Sequence, residues 1–363
     1  MLFFGRDEIV FNPYASKNYR LYMALPLVLF FVFFFLAFVY PGVSRGIDLS
    51  GGTLLRASLE KEVNTTSLQS GLLASFKLSD LQINTTTGPL GSKILIQYSH
   101  EQSLEKARQL IEQARSSLSS NPANAVSISQ DAVSALSPYF FGSFPENMSP
   151  EQSVDFAQSS FQTAQKNFSD KLDQFLVEKL GLSGPQEISR NEVGASLGES
   201  FYSSAIFVAI VGIVLLSLVI FVFFKELIPS VAIIAGAVFD ILGALALMAI
   251  FGIPLSLSTI PALLMLIGYA VDTEILMTTR LTTRKDETLP ERAFSAMVTG
   301  LTMTMTALVA LLSMLVISFY GQITVVFEIA AVLFFGLLAD IISSWMLNTP
   351  LMLWYEGKKE KTR

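Results

Sequence analysis

The stretch Leu263–Arg280, "LLMLIGYAVDTEILMTTR", decides how this chain must be read, because it is an apolar helical run that carries two carboxylates, Asp272 and Glu274. About 20 apolar residues cross a hydrocarbon core of ~30 Å. The run Ser258–Thr279 has that length, and five others share it: Leu21–Tyr40, Ser203–Phe224, Ile228–Phe251, Ala296–Phe319 and Ile323–Leu347. Of the 363 residues, 52% are hydrophobic and 15% charged, well under the roughly one quarter charged in soluble domains. The sequence therefore reads as a polytopic α-helical membrane protein with six transmembrane helices, arranged one plus five. The expected division is a cytoplasmic segment 1–20, a first helix 21–40, an external α+β domain 41–200, a five-helix bundle 201–354 and a basic tail 355–363.

Lysine and arginine set the expected orientation. Arg6, Lys17, Arg20, Lys225, Arg280, Arg284, Lys285, Arg292 and the tail "KKEKTR" fall on one side, while the loops Gly252–Leu257 and Tyr320–Gln322 carry none. The positive-inside rule then places both termini in the cytoplasm and the large polar domain outside the cell membrane. Leu21–Tyr40 follows Lys17 and Arg20 and has no small-residue cleavage site after it, so it reads as an uncleaved anchor.

The domain 41–200 carries 17 acidic against 12 basic residues, and the whole chain has a net charge of −6, which argues against nucleic acid as a partner. Four sequons, at Asn64, Asn84, Asn147 and Asn167, all lie in it. "GTLLRASLE" and "SKILIQYS" have the pattern of strands. "EQSLEKARQLIEQARSSL" places Leu104, Ala107, Leu110, Ile111 and Ala114 on one helical face. A second helix runs from Pro150 to Gly181 through Phe161, Ala164, Phe168, Leu172 and Leu176; "SSNPANAV" and "YFFGSFPENMSP" read as linkers.

The chemistry lies in the spans. An ionisable group at the bilayer centre costs at least ~2.5–3.5 kcal/mol, so it faces the bundle interior and marks a pathway, a relay or a structural pair. Asp240, Asp272 with Glu274, and Asp340 bring carboxylates to similar depth on three helices, and Glu328 sits near the outer end of the sixth. At 100° per residue Asp272 and Glu274 are about 200° apart, so they cannot face one neighbour. Asp272 shares its face with Pro261, Met265, Gly268 and Thr279; Glu274 shares its face with Ile267, Val271 and Thr278 and is expected to serve structure or an interface. Small-residue stripes accompany the other acids: Ala232, Gly236, Asp240 and Ala244 on one helix, Gly336, Asp340 and Ser344 on another. Thr299, Thr302, Thr306 and Ser313 line a hydroxyl face of the fifth span. Carboxyls among hydroxyls in a dry interior have the composition of a proton relay, and Asp272, Asp240, Asp340 and Arg280 are its candidates, with Thr302, Thr306 and Gly268 as a supporting face. The plainer alternative is hydrogen bonding between helices.

Catalytic motifs are missing. The chain has no Cys and one His, His100, and no P-loop, G-x-S-x-G, H-E-x-x-H or dinucleotide fingerprint. It reads as no enzyme, with no metal and no cofactor.

Three segments together resemble a known family. "RGIDLSGGTLLRASL", Arg45–Leu59, "NEVGASLGESF", Asn191–Phe201, and "IGYAVDTEILMTTRL", Ile267–Leu281, are similar to the SecD/SecF proteins of the resistance-nodulation-division superfamily, on the archaeal SecF side. Bacterial SecF has Asn followed by Asp where this chain has Asp272 and Thr273. The resemblance implies a ferredoxin-like βαββαβ external domain opened by Asp48, Gly51 and Gly52 and lengthened in this chain by a helical insertion at about 117–180. It also implies an accessory role in Sec protein export with a SecD-like subunit, the Sec translocation channel, a translocating polypeptide and membrane lipid as partners. By position it selects Asp272 as the acid used by protons and Arg280 as the basic residue at that helix end. Gly51 and Gly52 read equally as a turn or a close backbone approach. Two other readings stay open, a homo-oligomeric exporter of lipid or small molecules in the same superfamily and a non-energised scaffold for Sec components.

Overall fold

The structure, a computed structural model, describes residues 12–15, 17–59, 63–88, 91–145, 147–283 and 287–362; the basic residues Arg6, Arg284 and Lys285 lie outside these. In chain order the elements are α1 (Ala24–Phe38), entered through a 3-10 turn at Lys17–Met23, α2 (Ile47–Ser50), β1 (Gly52–Leu59), α3 (Thr65–Ser75), β2 (Gln82–Gly88), β3 (Gly91–Tyr98), α4 (Gln102–Ser117), α5 (Pro122–Ala135), α6 (Pro150–Leu180), β4 (Ile188–Val193), α7 (Ala195–Phe224), α8 (Leu227–Phe251), α9 (Thr259–Thr283), α10 (Leu289–Tyr320), α11 (Thr324–Ile342), a π-helical segment Ser343–Asn348, and α12 (Thr349–Thr362). They form two units, 50–199 and the rest of the chain.

In the first unit the strands lie in the order β2-β3-β1-β4, every neighbour antiparallel. With α3 and α4 as the crossovers this is the split βαβ, ferredoxin-like arrangement. Alternation along β1 and β3 turns Leu55, Ala57, Leu59, Ile94, Ile96 and Tyr98 to one face, where α3, α4 and α6 cover them with Leu72, Ala107 and Leu172. Phe168 of α6 is the hub, its ring 5.2 Å from Tyr139, 5.8 Å from Phe76 and 6.2 Å from Tyr98. α6 starts with a capping box between Ser149 and Gln152 and stops at Gly181, where φ is +69°.

The segment "SSNPANAV" is not a linker. Asn121 caps α5 by accepting the amide of Asn124, and Pro122 takes the first helical position, where its missing N–H costs nothing. α5 then packs Ala132 and Val133 on Ile111 of α4 and Ala157 of α6. Gly51 and Gly52 both have positive φ, and a Cβ on Gly52 would lie 2.5 Å from the carbonyl oxygen of Tyr98, so β1 begins against the end of β3. Asp48 is half-buried in α2.

In the second unit, six helical stretches among the described residues are long and apolar enough to cross a membrane: Tyr19–Phe38, Leu197–Phe224, Leu227–Phe251, Thr259–Thr283, Leu289–Tyr320 and Thr324–Glu360. The last runs through α11, the π segment and α12, so the tail from residue 355 continues as helix through Thr362. α8 and α11 are the most enclosed, while α1, α7 and α10 turn rows of Phe, Val, Ile and Met outward. Gly243 sets the closeness of the centre, since a Cβ there would lie 2.5 Å from that of Ala339 on α11.

Candidate functional site

The helix that begins as α11 widens at Ser343–Asn348 into a π turn, a form found mostly as single turns and often at functional sites. It turns Asp340, Ser343, Ser344 and Asn348 toward α8 and α9, and all four are fully buried. Ser343 Oγ donates to Asp240 Oδ1 of α8 at 2.6 Å. Asn348 Nδ2 donates to Glu274 Oε1 of α9 at 2.6 Å. Ser344 Oγ lies 2.9 Å from Glu274 Oε1 and 3.0 Å from Asp340 Oδ1. Thr273 of α9, next to Glu274 in the chain, is buried as well. Ser344 thus joins the Glu274 and Asp340 carboxyls, while Ser343 ties the Asp240 carboxyl to the backbone carbonyl of Asp340, 3.2 Å away. Gly236 of α8 makes the room, because a Cβ there would run into Asn348 Nδ2 and lie 2.9 Å from Glu274 Oε1.

Proton counting shows what the arrangement can do. A serine hydroxyl has a single hydrogen, yet Ser344 touches two carboxyl oxygens. The second contact is favourable when one of those carboxyls carries a proton and donates it to Ser344. Asp240 Oδ2, Glu274 Oε2 and Asp340 Oδ2 are buried with no hydrogen-bond partner among the described residues, so the group has acceptor positions to spare.

The structure corrects the face assignment on α9. Asp272, expected to carry the relay with Asp240 and Asp340, is exposed on the outside of the bundle, and Glu274 completes the buried group instead. The 200° separation holds, but the face with Ile267, Val271 and Thr278 is the packed one. The face with Met265, Gly268, Tyr269 and Asp272 is open, and a Cβ on Gly268 would meet nothing within 4 Å. Thr302 and Thr306 are exposed too, and their hydroxyls donate to the carbonyls of Val298 and Thr302 at 2.7 and 2.8 Å, not to an acid. Arg280 donates to the carbonyl and hydroxyl of Ser295 at 2.8 and 3.1 Å, which ties α9 to α10. Ser343, Asn348 and Thr273 were passed over in the sequence; the signal for two of them was the polar cluster "SSWMLN" in an apolar run.

Two other polar places stand apart. Near the loop between α8 and α9, Glu328 Oε2 accepts from Ser256 and Ser258 at 3.0 and 2.5 Å. In the first unit Arg190 pairs with Asp173 at 2.6 Å and Glu192 at 3.3 Å, and also donates to Ser169. Burial raises the Asp173 carboxyl above its ordinary value, with Arg190 opposing. Burial likewise pushes the Tyr98 and Tyr139 phenols up to about 12.

Residues 176–358 match the family described as protein export membrane protein SecD/SecF, C-terminal. The protein-export membrane protein SecF of Methanolacinia petrolearia is 42% identical over 170 residues, 47% of this chain and 60% of that one. The SecF of Methanothermobacter thermautotrophicus is 27% identical over 349 residues, 96% of each chain. The crystal structure of SecDF, a translocon-associated membrane protein from Thermus thermophilus, shares the fold with a TM-score of 0.62 at 18% identity. That likeness covers 96% of this chain and 39% of the SecDF chain.

Proposed function

The chain belongs to the SecD/SecF family of protein-export membrane proteins, and from that premise we propose that it is an accessory subunit of Sec-dependent export that uses the proton gradient. It acts beside a SecD-like subunit and the Sec channel on polypeptides crossing the cell membrane, with both termini in the cytoplasm and the sheet domain outside. It works as a transport component and not as an enzyme. The observation that carries the proton reading is the buried carboxyl cluster of Asp240, Glu274 and Asp340, in which Ser344 bridges Glu274 and Asp340 and Ser343 holds Asp240 to the backbone of Asp340. A proton moving onto or off this group changes the attraction among α8, α9 and α11, which lets an ion gradient bias their packing.

Asp272 supports the partner. A carboxylate halfway along a spanning helix and exposed on the outside of one chain's bundle would face lipid at a cost of at least ~2.5–3.5 kcal/mol. A second half with a polar surface removes that cost, and this chain's fold accounts for 39% of SecDF. The test is proton flux and export in vesicles holding the chain with a SecD-like partner. Glu274→Gln and Asp272→Asn should each lose proton-linked export. Unchanged flux and export in both variants would leave a scaffold, and co-purification with lipid but no SecD-like chain would point to the exporter.

A further inference from the structure

A cavity of about 740 Å³ opens at the end of the second unit that carries Arg292 and Lys359. Thr279, Thr282 and Thr283 form its α9 wall, with Glu226 and Glu356 across from them. Lys359 bridges those two acids, at 2.5 Å from Glu226 and 3.6 Å from Glu356, and Arg292 pairs with Glu360 at 3.6 Å. On α9, Thr282 of this wall, Thr278 and Glu274 follow at four-residue spacing, a single stripe that climbs from the cavity to the buried carboxyls.

Thr278 differs from the other hydroxyls of these helices. Thr282, Thr299, Thr302 and Thr306 each donate to the carbonyl four residues earlier. Thr278 is fully buried and its Oγ1 has no partner among the described residues, as is true of Glu274 Oε2 above it and Thr279 Oγ1 beside it. A buried hydroxyl in that state is a place for an ordered water. Successive members of the stripe rise by about 6 Å, a gap that one water bridges with two ordinary hydrogen bonds. In the other direction along α8, α9 and α11 lie Ala244, Met248, Leu266, Leu333 and Leu337, part of a buried apolar cluster.

We propose that Thr278 is the hydroxyl through which the buried carboxyl group exchanges protons with this cavity, making the group open to the Lys- and Arg-bearing end and shut to the other. The inference rests on the proton reading above. In each transfer the O–H bond of the Glu274 carboxyl breaks as one forms on the neighbouring water. Thr278 accepts that proton and releases its own toward the cavity, so the hydroxyl ends unchanged and the carboxylate is left with the charge.

The test is infrared spectroscopy of the full chain in lipid vesicles, following deuteration of the carboxylic C=O band after transfer to heavy water, with Glu274→Gln to assign the band. Thr278→Val should slow the exchange about tenfold, the effect of raising a barrier by roughly one hydrogen bond, and Thr278→Leu should do the same. Thr278→Ser keeps the hydroxyl and Thr278→Ala leaves space for a second water, so both should exchange at the wild-type rate. Thr282→Val should also be unchanged, its hydroxyl being already engaged. Equal rates in Thr278→Val and wild type, or an alanine variant as slow as the valine one, would overturn the route through Thr278. A band unaffected by Glu274→Gln would instead remove the proton reading itself, whatever Thr278 does.

Discussion

The two units treat charge in opposite ways. In the sheet unit Arg190 stands among Asp173, Glu192 and Ser169, so unlike charges meet at a half-buried place and neutralise each other. In the bundle Asp240, Glu274 and Asp340 meet in full burial with Ser343, Ser344 and Asn348 as partners and no cation in their hydrogen bonds. An ion pair is complete as it stands and serves to hold α6 to β4. A group of like acids depends on protons for its balance, so its state follows the supply of protons.

The largest expected effect would break this contrast directly. Glu274→Gln should reduce proton-linked export about tenfold or more, while Asp173→Asn should leave it unchanged, both read as pH-dye flux and export in vesicles with the partner. Next, Gly236→Val forces a side chain between Glu274 and Asn348, and overpacking of this kind costs about 1–3 kcal/mol, visible as a lower unfolding midpoint in detergent. Arg190→Met should cost the sheet unit about 1 kcal/mol, in the range of partly exposed pairs, and should not alter flux; a flux defect would erase the distinction between the units. The last effect is absent at neutral pH and confined to alkaline pH. Tyr98 ionises near 10 when unfolded and at about 12 when folded, so the folded state holds its proton longer and stability falls as pH rises from 10 through 12. Tyr98→Phe should flatten that fall in thermal melts.

The six spans were legible because lipid demands long apolar runs, and Leu21–Tyr40 differs from the helical span Tyr19–Phe38 only at its ends. β1, β3 and α4 were legible from their periodicity. β2, "QINTTTG", and β4, "ISRNEV", were not, since edge strands bury little and carry no apolar alternation. On α9 the angle between Asp272 and Glu274 was legible, but which of them faced inward was not. Both faces mix small, polar and apolar residues, and the choice depends on Ile233, Ala237 and Ile220 from other helices packing on Ile267 and Val271. Asn348 escaped because an α-helical wheel puts it about 80° off the Asp340 stripe and the π turn brings it closer; Ser343, three residues after Asp340, was within reach of the wheel.

That wide turn also separates the two ends of one long helix. A π turn holds one residue more than uninterrupted α geometry accepts, so α12 keeps the angular setting of a helix one residue shorter. Were the segment to wind as plain α-helix at its present length, that extra residue would swing α12 by about 100°. Lys359 and Glu360 would leave Glu226 and Arg292, although Asp340 stayed where it is. Length in this short segment acts like a gear tooth, fixing how the C-terminal helix meshes with the rest of the bundle.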